Sequence, residues 1–148
     1  MTDLIEVRVS NLVGAALDWA VAKAADVRMF EMGPDGNWPG NFAVTQATQV
    51  EPAVIRDLMG RLWFEASLRS VPWSPSTDWS QGGPLIDKHG GSVQRDRAVP
   101  LSTRYSAGPD GDAVWCYGPT PLIAFCRGLV RYKLGDTVQV PKELIHAD

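Results

Sequence analysis

The stretch from Thr120-Pro121-Leu122 to Leu134-Gly135 constrains this chain most, because it carries the signals for both ends of a helix. Thr120 suits the N-cap, where its hydroxyl accepts a bond from a free amide of the first turn. Pro121 suits the first helical position, since the amide it lacks would have no partner there, and Gly135 suits the stop. Between them Leu122, Ile123, Phe125, Cys126, Leu129, Val130 and Leu134 cover more than half the circumference. Only Ala124, Arg127, Gly128 and Arg131 share the other side, which is expected to face solvent. A helix this apolar must be mostly buried, packed across a sheet.

The remaining elements are read around that helix. Strict alternation over Ile5-Glu6-Val7-Arg8-Val9 predicts a half-buried strand. Ser10 is the expected N-cap of a helix over Asn11 to Ala25, with Leu12, Val13, Ala16, Leu17, Ala20 and Ala24 inward and Gly14 and Asp18 opposite. Arg28 to Met32 and Phe42 to Thr45 are short strand candidates. Thr48-Gln49-Val50-Glu51 has the form of a capping box, and Pro52 follows in a first turn. The stripe Ile55, Leu58, Met59, Leu62 and Ala66 then predicts a second helix ending near Ser70, with Arg61 and Glu65 paired outside. Ser92 to Gln94, Leu101 to Tyr105, Ala113 to Tyr117 and the pair Val138 and Val140 are further strand candidates. The fold class expected is α+β, a small mostly antiparallel sheet with two to three packed helices, in a single domain over residues 1–148.

Bulk properties exclude several function classes. No apolar run of the 148 residues approaches the ~18 needed for a membrane span, and Met1 to Ser10 lacks the basic and apolar regions of a secretion signal. The formal net charge of -3 argues against a dedicated nucleic-acid binder held by phosphate neutralisation. Cys116 and Cys126 are too few for a disulfide framework. Even with His89 and His146 beside them they show no metal-ligand spacing, so no metal and no cofactor is expected and both thiols read as buried and free in a reducing cytoplasm.

Chemistry concentrates in the loop Val71 to Pro84, where two indoles, four hydroxyls, a carboxylate and an amide sit among three prolines. Two readings suit it. As a pocket, Trp73 and Trp79 offer faces to a planar ligand while Ser76, Thr77, Asp78 and Gln81 orient it. As a self-satisfied loop, the hydroxyls and Asp78 bond nearby amides and the indoles plug the core edge. Thr120, at the start of the last helix, is a further anion-site candidate that a simple cap explains as well. Ser74, Ser76 or Ser80 could be joined with His89 and Asp78 into a triad on paper, but residues this common give it little weight. A solvated His89 in the turn Lys88-His89-Gly90-Gly91 is the preferred reading. Arg95, Arg97 and Arg104 read as solvated strand faces or as an anion-attracting rim near the Asp78 loop.

Three blocks occur in order: Asp18 to Lys23, Ser76 to Pro84, and Gly118-Pro119-Thr120-Pro121-Leu122-Ile123. With Lys133-Leu134-Gly135-Asp136 and Val140-Pro141, the chain resembles the NinX-like family of bacteriophage and prophage proteins. Met32 to Ser70 lies outside the resemblance, so the second helix reads as an elaboration. The resemblance implies a phage gene expressed in a bacterial cytoplasm and brings no catalytic residue with it. The function expected is non-enzymatic binding of a small polar or nucleotide-like ligand, or of a host protein, through the loop at 71–84. The alternatives are a hydrolase acting on such a ligand and a structural or oligomerising protein with none.

Overall fold

The structure, a computed structural model, describes residues 3–35, 52–66, 69–111 and 115–145. Strand β1 (Leu4–Arg8) shows the expected alternation, with Ile5 and Val7 half-buried and Glu6 and Arg8 exposed. It pairs antiparallel with β9 (Thr137–Pro141), which sets Ile5 opposite Val140 and Val7 opposite Val138. Helix α1 (Gly14–Ala24) begins three residues later than the sequence predicts. Ser10 does not cap it. Val9–Asn11 instead forms a 3-10 turn, whose three-residue spacing turns both Val9 and Leu12 into the core. Asp18, expected on the solvent side of α1, is buried.

The largest departure lies between residues 53 and 72. The expected second helix is a set of strands, β3 (Ala53–Arg56), β4 (Leu62–Ala66) and β5 (Arg69–Pro72), paired antiparallel in sequence. Strand β2 (Arg28–Glu31) completes this sheet by pairing parallel to β3. The run Ala53-Val54-Ile55 is wholly buried, and a short apolar run of that kind fits a buried strand as well as a helix. What breaks the helical reading is Asp57. Its Oδ1 accepts from the amides of Met59 (2.8 Å) and Arg61 (2.9 Å), and its Oδ2 from Trp63 Nε1 (2.9 Å). Gly60 supplies the left-handed residue this turn requires, at φ 79°. Leu58 and Met59 are therefore exposed at the turn, and Arg61 pairs with Asp57 (3.3 Å) while Glu65 is buried on β4. The predicted strand at Phe42–Thr45 and the capping box at Thr48–Glu51 lie outside the described residues.

The third sheet is antiparallel, in the order β6 (Ser92–Arg95), β7 (Tyr105–Gly108), β8 (Cys116–Gly118). Leu101–Thr103, expected in a strand, is a 3-10 turn closed by the Thr103 amide on the Pro100 carbonyl (3.1 Å), so β7 starts only at Tyr105. Across this sheet lies α3 (Pro121–Leu134), with the ends the sequence predicts. Thr120 Oγ1 accepts from the Ile123 amide (3.1 Å) and Gly135 closes the helix.

The expectation that fails for α3 is a solvated back. Ala124, Arg127 and Gly128 are buried, because α1 and the 3-10 turn at Val9–Asn11 cover one side while the sheet covers another. At Gly128 the helix approaches β7 so closely that a Cβ would lie 2.5 Å from the Ala107 carbonyl oxygen, so no side chain fits there. Part of the proline-rich segment is also helical: α2 (Trp79–Lys88) packs Leu85 and Ile86 on the core even though Pro84 lies inside it. The described elements are thus α+β, with three helices and mostly antiparallel pairing distributed over three sheets. No helix among the described residues is long and apolar enough to cross a membrane.

Candidate functional site

The structure gives most of the seven residues singled out from sequence hydrogen-bond partners within the protein. Trp73 is buried; its Nε1 donates to the Asp18 carbonyl oxygen (2.8 Å) and its ring stacks on Phe64 with centroids 5.2 Å apart. The Ser76 amide donates to Asp18 Oδ1 (2.8 Å), and Thr77 Oγ1 donates to the Ser74 carbonyl at a long 3.4 Å. Gln81 spans the loop, accepting from the Ser74 amide (2.6 Å) and donating to the Pro72 carbonyl (2.7 Å). Asp78 is the N-cap of α2, its Oδ1 accepting from the Ser80 amide (2.9 Å) and hydroxyl (2.7 Å). Trp79 is different: it is 57% exposed. Thr120 caps α3, remote in sequence from the loop.

Because the bonds at Asp78 are exposed, their loss is modest. Asp78→Ala is expected to lower stability by about 1 kcal/mol, the usual worth of such a cap. Asp78→Asn, which keeps the acceptor, should lose only about 0.5 kcal/mol of interaction with the helix dipole. Urea melts of the two variants measure the difference.

Asp18, under this loop, is the residue whose role the sequence reading missed. Burial raises its pKa from the ordinary 3.8 to about 6, against the opposing pull of the Ser76 amide. A carboxyl raised in this way is protonated in the folded state where the unfolded chain has already ionised. Its contribution is complete below pH about 4 and is lost as pH rises through about 6. The wild type is therefore expected to lose about 2–3 kcal/mol between those limits relative to Asp18→Asn, which has no proton to lose. Paired pH series of urea melts check this.

The paper triad does not assemble. Asp78 and His89 are the N-cap and C-cap of α2, so ten helical residues, about 15 Å of rise, separate them. Nor is His89 a solvated surface residue. It is half-buried, and burial, followed by Lys133 and Lys88, lowers its pKa. Cys116 and Cys126 are buried, and burial pushes the Cys126 thiol far up. Among the described residues no group of three or more His, Cys, Asp or Glu side chains could hold a metal ion.

A cleft of about 910 Å³ opens elsewhere, between the end of β1, the 3-10 turn at Leu101–Thr103, β8 and one face of α3. Arg8 enters it from β1, and Arg127 and Arg131 from successive turns of α3. Two backbone carbonyls fix the Arg127 guanidinium: Nε donates to Leu12 O (2.9 Å) and Nη1 to Tyr117 O (2.8 Å). Arg131 Nε is held by Asp136 Oδ1 (2.9 Å). Val9, Leu101 and Trp115 give the cleft apolar surface, and Ser102, Thr103 and Thr137 line it with hydroxyls. A second concavity of about 790 Å³ adjoins it, sharing Thr103 and Tyr117 and adding Arg95 and Arg104. None of Trp73, Ser76, Thr77, Asp78, Trp79, Gln81 and Thr120 lines either concavity. One sequence signal for the first was present, the pair Arg127 and Arg131 four residues apart on a mostly apolar helix. Read alone, that pair indicates a solvated face.

The family described as Bacteriophage P22, NinX matches residues 8–133. That range spans Met32 to Ser70, which the sequence blocks alone leave outside the resemblance. No curated protein matches the chain.

Proposed function

Because the chain belongs to the bacteriophage P22 NinX family, we propose that it is a phage accessory protein that binds a small ligand with a planar apolar body and an anionic group. The position is the cleft between β1, β8 and α3. The observation that carries this reading is the juxtaposition there of Arg8, Arg127 and Arg131 with the apolar surface of Trp115 and Leu101. Concave, largely apolar sites with a few placed polar groups are where small ligands bind. A guanidinium already fixed by two carbonyls, as Arg127 is, loses little freedom when an anion arrives. Binding is preferred to hydrolysis because the described residues lining the cleft include no histidine and the carboxylate among them, Asp136, pairs with Arg131. The setting is a phage or prophage protein acting in the bacterial cytoplasm.

Calorimetric titration with thymidine monophosphate, which has one ring and one phosphate, tests this. Saturable binding at one site is expected, weakened at least tenfold (about 1.4 kcal/mol) by Trp115→Ala or by Arg8→Gln. Unchanged affinity in both variants, or no binding to the wild type, would sink it.

A second reading rests on Trp79. An indole 57% exposed in the first turn of α2 suits a contact with a host protein through the tryptophan-rich segment.

A further inference from the structure

The two concavities are neighbours. They meet at Thr103 and Tyr117, which line both. Arg8, Arg127 and Arg131 line the first and Arg95 and Arg104 the second, and the acidic residues among the described lining are Asp136 and Asp96. This surface is positive on a chain whose formal net charge is -3. Aromatic residues line them as well. Trp115 lines the first concavity, and Tyr117, which lines both, is 59% exposed.

From this we infer that the ligand class is an unpaired oligonucleotide of a few residues, its phosphates meeting the arginines and a base stacking on Tyr117. The inference rests on the small-ligand reading for its first binding unit and extends it across the junction. A single monophosphate would use one concavity and leave Arg95 and Arg104 idle, whereas a chain of phosphates engages both. Arginines interleaved with exposed rings are the means by which single strands are held, because an unpaired base offers its face and a paired one does not. The negative net charge excludes attraction by the whole chain; it does not exclude a local field of opposite sign.

The test compares thymidine monophosphate, dT4, dT8, rU8 and a 20-base-pair duplex by fluorescence and calorimetric titration of the full chain. Expected is an affinity for dT4 at least tenfold above that for the monophosphate, with a salt slope of about -2 for roughly three phosphate contacts. Arg95→Gln, an exposed position, should weaken dT4 by about 3- to 10-fold and flatten that slope by about 0.7, while monophosphate binding and the thermal melt stay as in the wild type. The ratio of dT8 to rU8 reports which sugar is preferred, and binding of either supports the inference. Monophosphate binding with no gain for dT4 or dT8 overturns it and leaves the small-ligand reading standing. No binding of any probe overturns both, and a duplex bound as tightly as dT8 overturns the unpaired strand.

Discussion

Phe125→Ala is expected to destabilise the protein by about 3–5 kcal/mol, a large share of a typical stability of roughly 5–15 kcal/mol. Phe125 is completely buried on α3, in the same core cluster as residues of α1, β3, β7 and β9. Removing the ring takes away its transfer free energy and leaves a cavity that helices and strands meeting from several directions cannot all move to fill. The measurement is a urea melt at constant slope; a loss below about 1 kcal/mol would mean that the neighbours collapse into the gap.

Arg127→Ala is expected to cost about 2–4 kcal/mol, where a residue on a solvated face would cost less than about 0.5 kcal/mol. Arg127 is 8% exposed, and its guanidinium donates to two carbonyls distant in sequence, Leu12 and Tyr117. The substitution leaves both acceptors without that donor and unties α3 from the segment before α1 and from β8. Arg127→Met retains much of the apolar stem and separates the two contributions. Recovery of most of the stability in Arg127→Met would assign the loss to packing, whereas equal losses would assign it to the hydrogen bonds. Both variants should also weaken a ligand in the cleft, since Arg127 lines it.

These two residues mark how far the sequence could be read. Phe125 falls on the apolar arc of α3, and its burial follows from spacing alone. Arg127 falls on the opposite side, where helical periodicity assigns solvent, and only the elements packed there make it a buried donor. The same division separates the Trp73 segment from the cleft. A cluster of indoles and hydroxyls reads equally as a pocket or as a self-bonded loop, and the choice depends on Asp18, 55 residues from Trp73, whose carbonyl binds the indole. The cleft takes its arginines from β1 and α3 and its tryptophan from the approach to β8, segments that no local pattern connects.

By itself the sequence determined what short-range forces decide. These were the alternation of β1, the cap, proline and stop of α3, the bonding of Asp78 to a nearby amide and the α+β class. Tertiary structure decided what depends on partners far along the chain. Residues 53–66 became strands because Asp57 gathers two amides and an indole into a turn and β2 supplies an edge, overriding a helical stripe whose propensity is worth only tenths of a kcal/mol per residue. The back of α3 became interior because Gly128 lets the helix sit against β7 while α1 covers its other side. The local charge of the cleft was set in the same way. A sum over the sequence is negative, but the local field is that of the side chains folding gathers, and folding places five arginines around two neighbouring concavities.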